Sequence, residues 1–170
     1  VICVSIGGVL AYLTSTTGEV VNTFTVGNIN LDLTETTGNQ YKMVPGQTIT
    51  KDPKVTVKAN SEESYVFVKV TKSTNASFDD YMTYDIADGW TALTGEDGVY
   101  YREVAATTAD DIDFMVIKNN TVTVKGTVTK EMMDSLTDAT YPKLTFKAAA
   151  VQKAGFSTAA DAWAQVSDQM

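Results

Sequence analysis

The side chains that could do chemistry in this chain are carboxylates. They cluster at Asp79-Asp80, at Glu96-Asp97 and at Asp110-Asp111-Ile112-Asp113. Paired carboxylates could serve as acid and base on a glycosidic bond, or could hold a calcium or magnesium ion, which needs only oxygen ligands. None of the clusters follows the helical calcium-loop spacing, and nothing in the sequence sets two carboxylates across a cleft. They read as solvated turn residues. Histidine is absent, and Cys3 is the only cysteine. Serine–histidine and cysteine–histidine catalysis, histidine-ligated zinc and zinc fingers are thereby excluded, as is a disulfide within the chain. The expectation is a protein that is not an enzyme and carries no cofactor and no assigned metal site.

Aromatic residues offer a second chemistry. Tyr81, Trp90, Tyr100 and Tyr101 could line a sugar-binding face, but aromatics on alternating strands are more often cross-strand packing partners, and they are read so here. Asn75-Ala76-Ser77 and Asn119-Asn120-Thr121 have the form of glycosylation acceptors and read as turns. Met132-Met133 reads as core filler.

The elements that must position these groups are strands. Thr, Val and Ile make up 53 of the 170 residues, and such side chains pack well on pleated surfaces. The net charge of −8 and a pI near 4.4 argue against nucleic acid and anionic membranes as partners. Alternation places Ile29, Leu31 and Leu33 on the buried side of a strand over 24–35. Further strands are expected at 41–44, 54–60, 64–72, 81–86 and 144–152. Hairpins are expected at 90–93 with 99–104, around a glycine-bounded turn, and at 112–117 with 121–129, around Lys118-Asn119-Asn120. Residues 71–80 read as polar loop. Thr129 caps a short helix near 130–137. A terminal helix near 158–166 carries Ala159, Ala162, Trp163 and Val166 on one stripe. The fold class is all-β: an antiparallel, jelly-roll-like β-sandwich with two short helices over 24–170, preceded by an extended N-terminal tail and Thr-rich linker over 1–23.

Residues 1–13 are uncharged and mostly apolar, and too short to span a bilayer as a helix. Two readings stand. In one, the run is the end of a secretory signal peptide, with Val9 and Ala11 at −3 and −1 of a cleavage site before Tyr12. In the other, it is a donor strand whose Ile2, Val4, Ile6, Val9, Leu10, Tyr12 and Leu13 fill pockets in another molecule.

The stretch Gly7-Gly8-Val9-Leu10-Ala11-Tyr12-Leu13-Thr14-Ser15-Thr16, followed by Val21 through Leu33, resembles the N-terminus of the TasA and camelysin family. The similarity continues at Lys51-Asp52-Pro53-Lys54-Val55-Thr56-Val57-Lys58 and at 65–70. It returns at 144–146, 150–152 and Gly155 through Trp163. The resemblance implies a jelly-roll sandwich exported from a Gram-positive bacterium by a dedicated signal peptidase, with residues 1–11 removed on export. It further implies biofilm-matrix fibres in which an N-terminal strand completes the sheet of the next subunit. The partners expected are therefore further copies of the chain, head to tail, with a co-assembling matrix protein as a second candidate. The alternative is a monomeric cell-surface adhesin or carbohydrate-binding module. The metallopeptidase activity assigned to some members is set aside, because the chain has no histidine to ligate zinc.

Overall fold

The structure, a computed structural model, describes residues 29–37, 43–74, 78–137 and 139–170, together with the backbone of 23–26. The donor-strand residues Ile2, Val4, Ile6, Val9, Leu10, Tyr12 and Leu13 lie outside the described residues. The strands are β1 (Thr23–Val26), β2 (Leu31–Thr34), β3 (Thr48–Thr50), β4 (Lys54–Val57), β5 (Ser64–Lys72), β6 (Met82–Thr83), β7 (Thr91–Ala92), β8 (Val99–Val104), β9 (Ile112–Met115), β10 (Thr121–Val124) and β11 (Leu144–Gln152). Helices are short: α1 (Phe78–Tyr81), α2 (Lys130–Asp134) and α3 (Ala159–Trp163). The fold is all-β. A five-stranded sheet runs β1-β11-β5-β8-β7, and two three-stranded sheets run β3-β10-β6 and β2-β4-β9. Every pairing is antiparallel except β1 with β11, which is parallel.

One core joins the three sheets. Val66, Val68 and Val70 of β5 and Phe146, Ala148 and Ala150 of β11 meet Leu31, Leu33, Val55, Val57, Val122 and Val124 from the smaller sheets. On the opposite face Tyr65 and Phe67 of β5 and Ala149 and Val151 of β11 are buried as well, which explains why β5 is apolar on both faces over 65–68. Tyr65, Phe67, Ala149 and Val151 form a second cluster with Ala159, Ala162, Trp163 and Val166. The helix α3 thus caps the outer face of the large sheet. It is too short to hold itself, so its stability comes from this burial and from Thr158, whose side chain accepts the Asp161 amide hydrogen. Trp163 is 4% exposed, and its ring lies 5.3 Å from that of Phe67. Trp163→Ala is expected to cost about 3–5 kcal/mol in denaturant unfolding. A loss below about 1 kcal/mol would mean that the helix adds little to the fold.

Several expectations are corrected. The strand expected over 24–35 is two strands in different sheets, although Ile29, Leu31 and Leu33 are buried as the alternation requires. Of the strand at 41–44, Met43 and Val44 are not strand, and the rest lies outside the described residues. The polar loop at 71–80 instead begins with the end of β5 and closes with α1. The strand at 81–86 shrinks to β6, with Ile86 in an isolated bridge to Ile117. Residues 112–117 and 121–129 do not form a hairpin: β9 pairs with β4, and β10 with β3 and β6. Asn119 and Asn120 do turn the chain at positive φ (55° and 52°), but the bonds before the turn go elsewhere. Val116 donates to the Pro53 carbonyl and accepts from Ala87, while Lys118 donates to Asp85. Burial of Val116 and Ile117 against those segments outweighs the local turn. The hairpin of β7 and β8, the helix after Thr129 and the strand 144–152 stand where they were expected.

Candidate functional site

The candidate site is the outer edge of β9. Its inner edge pairs with β4 in the register Val55↔Phe114 and Val57↔Ile112. Val116 donates to Pro53, so the backbone groups of Phe114 and Ile112 also point at β4. Those of Asp113 and Met115 therefore point away. The Met115 carbonyl is met there by the Trp90 indole N–H at 2.7 Å. No described strand pairs with the rest of this edge.

The side chains show the same incompleteness. Val57 and Ile112 are directly paired on the core-facing side of the sheet, yet Val57 is fully buried and Ile112 is 36% exposed. Met115, on the opposite face, is 49% exposed. Among the described residues no strand lies beyond β9 to cover Ile112. Behind the edge, Arg102 of β8 lies in the gap between the sheets. Its guanidinium carbon is 3.9 Å from the Phe114 ring centroid and 5.0 Å from that of Trp90. A side chain at Gly89 would collide with this guanidinium. Burial pulls the Arg102 pKa below its ordinary value.

The acidic run 110–113 is absorbed by cross-strand pairing on the outer face. Asp113 accepts from Lys54 at 2.7 Å and from Thr56 at 2.6 Å. Asp111 accepts from Lys58 and from the Ala59 amide, and both carboxyls are held below their ordinary range by these hydrogen bonds. Asp79 pairs with Lys72. Among the described residues no group of three or more Cys, Asp or Glu could hold a metal ion. The aromatics are spent on packing: Tyr81 is buried with its hydroxyl on the Met132 carbonyl, Tyr101 packs edge-on against Tyr65, and Trp90 packs against Phe114. Tyr100 is half-buried against the main core. Asn119 is a turn residue, and Asn75 lies outside the described residues.

Two features escaped sequence reasoning. One is a buried ion pair. The Lys51 ammonium, fully buried, is bound to the Glu35 carboxylate, itself nearly so, and lies 5.8 Å from the Phe146 ring centroid. Next to it Asp52 accepts from the amides of Thr36 (2.9 Å) and Thr37 (3.0 Å) and from both hydroxyls. Burial pushes Glu35 up and Lys51 down, each partly opposed by the other's charge. The pair joins the end of β2 to the end of β3 and is structural. The other is Arg102, the only arginine of the chain, which is the signal that could have found it.

An open cleft of about 720 Å³ lies elsewhere, lined by Lys72, Phe78, Asp79, Tyr84, Asp97 and Tyr100. Burial, then the neighbouring Tyr100, Asp79 and Asp97, hold the Tyr84 phenol well above its usual range. No protein-family model, curated protein or solved structure matches this chain.

Proposed function

We propose that the chain is the subunit of a secreted, extracellular protein filament, a biofilm-matrix or surface fibre. In this reading the three sheets form a jelly-roll-like sandwich, and the N-terminal segment of one copy adds as a strand to the next. The observation that carries it is the unfinished edge of β9, where Ile112 stays exposed beside a fully buried Val57. Strand addition would give partners to the outward backbone groups of Asp113 and to the Met115 amide, the Met115 carbonyl being already bonded to Trp90, and apolar side chains would cover Ile112. The sequence supplies such a segment in residues 1–13, uncharged and rich in β-branched residues, and this reading departs from the family's usual processing in keeping residues 1–11 after export.

The layout favours donation to a neighbour. β1, which follows that segment, packs against β2, and β2 is the edge of its sheet opposite to β9. Donor and acceptor then lie on different surfaces, so the contact is heterologous and repeats without closing. Each aliphatic side chain buried contributes roughly 1.5–3 kcal/mol, against about 1–2 kcal/mol of backbone entropy per ordered residue. Side-chain burial alone is near balance, and the ladder hydrogen bonds decide. The reading assigns no catalysis, and it makes further copies, with a co-assembling matrix protein, the partners. Among the described residues no helix is long and apolar enough to cross a membrane.

Electron micrographs test it. The full chain is expected to form filaments. A chain lacking residues 1–17 is expected to stay monomeric and folded, and Ile6→Asp should act likewise. Filaments that survive the deletion would end the proposal. The second reading, a monomeric adhesin or carbohydrate-binding module, draws on the cleft beside Tyr84 and Tyr100. It predicts glycan binding by a full chain that forms no filaments.

A further inference from the structure

The open cleft lies where β5 runs past the start of β8. β8 pairs with Ser64 through Lys69, and the Val70 amide donates to the Gly98 carbonyl at 2.8 Å, whereas β11 follows β5 as far as Lys72. Backbone groups alternate along a strand, so the N–H and C=O of Lys72 point the same way as those of Val70, into the cleft. Among the described residues no strand meets them there. Around this overhang stand three polar side chains with nothing to bond. The Tyr84 and Tyr100 hydroxyls and the Asp97 carboxylate have no hydrogen bond or ion pair among the described residues. Asp79, the other carboxylate of the cleft, is taken by Lys72. Tyr84 is half-buried, its ring packed edge-on against Phe78 at 5.8 Å. Burial, with Tyr100, Asp79 and Asp97 nearby, keeps its phenol protonated and therefore a donor. A hydroxyl withdrawn from water without a partner is costly, and an entering acceptor offsets that cost.

The lining limits the occupant. Its charged side chains are Lys69, Lys72, Asp79 and Asp97, two of each sign, so the cleft favours neither an anion nor a cation. The Tyr84 ring, a natural seat for a cation, already has the Lys72 ammonium 5.6 Å from its centroid. A peptide strand needs a ladder, and the overhang offers the outward groups of one residue, because Ser73 donates to the Lys143 carbonyl on the other side. What remains is a neutral molecule with several hydroxyls and an apolar face. Its hydroxyls would donate to Asp97 and bond both phenols, and its C–H groups would lie against the half-buried tyrosine rings. We propose that the cleft binds a neutral hexose unit of a glycan, with Asp97 and the Tyr84 and Tyr100 hydroxyls as its polar contacts. At about 720 Å³ the cleft is within the range of small-molecule sites. The site rests on the glycan-binding part of the second reading and is independent of polymerisation, since the cleft and the β9 edge share no residue.

Saturation-transfer NMR on the full chain reads the site whether or not the chain assembles. The probes are the methyl glycosides of glucose, galactose, mannose and N-acetylglucosamine at millimolar concentration. At least one is expected to receive saturation, most strongly on its ring C–H protons. Asp97→Asn should weaken that binding about tenfold, and Tyr84→Phe, which keeps the ring and removes the hydroxyl, about threefold or more. Asp97 is exposed, so its variant should melt like the original chain and keeps the test valid should Tyr84→Phe melt early. Saturation of none of the probes would overturn the proposal. So would binding that both variants leave unchanged, which would put the glycan elsewhere and leave the second reading standing. Displacement of the sugar by choline at equal concentration would also overturn it, by assigning the cleft to a cation. Filaments that bind the sugar and lose it with Asp97→Asn would uphold the site while ending the monomeric reading.

Discussion

Glu35→Gln is expected to lower unfolding free energy by about 3–5 kcal/mol, because it leaves the Lys51 ammonium buried beside Phe146 without its carboxylate. Lys51→Met should cost a comparable amount by stranding Glu35. The pair does not stabilise the fold relative to an apolar core of the same shape, since burial works against both charges. The double change Glu35→Leu with Lys51→Met should therefore recover to within about 1 kcal/mol of the original. Denaturant melts of the four proteins decide it; additive losses in the double variant would mean that the cost lies in packing.

The pH dependence separates Glu35 from its neighbour. Glu35 has its pKa raised in the folded state above 4.5, so the folded chain holds that proton more tightly than the unfolded one. Its contribution favours folding at low pH and is lost as pH rises through the folded pKa. Asp52 has the opposite sign. Partial burial pushes it up, but the hydroxyls and amides of Thr36 and Thr37 outweigh this and hold it below 3.8. Its contribution is present above that pH and lost as pH falls through the folded value. Asp52→Asn should thus flatten the acid limb of the stability curve below about pH 4.

The second large effect concerns assembly. Ile112→Lys places a charge on the exposed apolar position of the open edge, the device by which natural sheets refuse further strands. Filament formation should be abolished. Monomer stability should change by less than about 1 kcal/mol, because the side chain is already partly in water. Filaments from Ile112→Lys at the ordinary concentration would move the acceptor to another edge.

Much of the fold was legible where the alternation was unbroken. β5 and β11 read correctly from residue to residue because Val66, Val68 and Val70 alternate with Tyr65 and Phe67 and the partner strand has matching small residues. The Thr129 cap was legible because a hydroxyl before a helix has a local purpose, whereas the Thr158 cap emerged only from the structure. Pairing between distant segments was not. Nothing local says that β1 lies parallel to β11, or that Ile117 would bond toward Ile86 and not across the Asn119-Asn120 turn. The site was less legible still. Lysine and glutamate look like surface residues until a fold closes over them, so the Lys51–Glu35 pair was invisible. Ile112 looked like any strand residue, because exposure at an edge depends on which strand is missing. Arg102 was visible as a singleton in the chain, but its lack of an acceptor is a fact of three dimensions.

The most direct measurement is residue-resolved hydrogen exchange of the full chain, compared between monomer and filament. The amides of Asp113 and Met115 point away from β4, whereas that of Phe114 is already bonded to it. If the N-terminal segment of another copy adds to this edge, exchange at Asp113 and Met115 should slow by at least about tenfold on assembly, while Phe114 changes little. Exchange at Asp113 and Met115 that stays at the monomer rate within intact filaments would contradict the account.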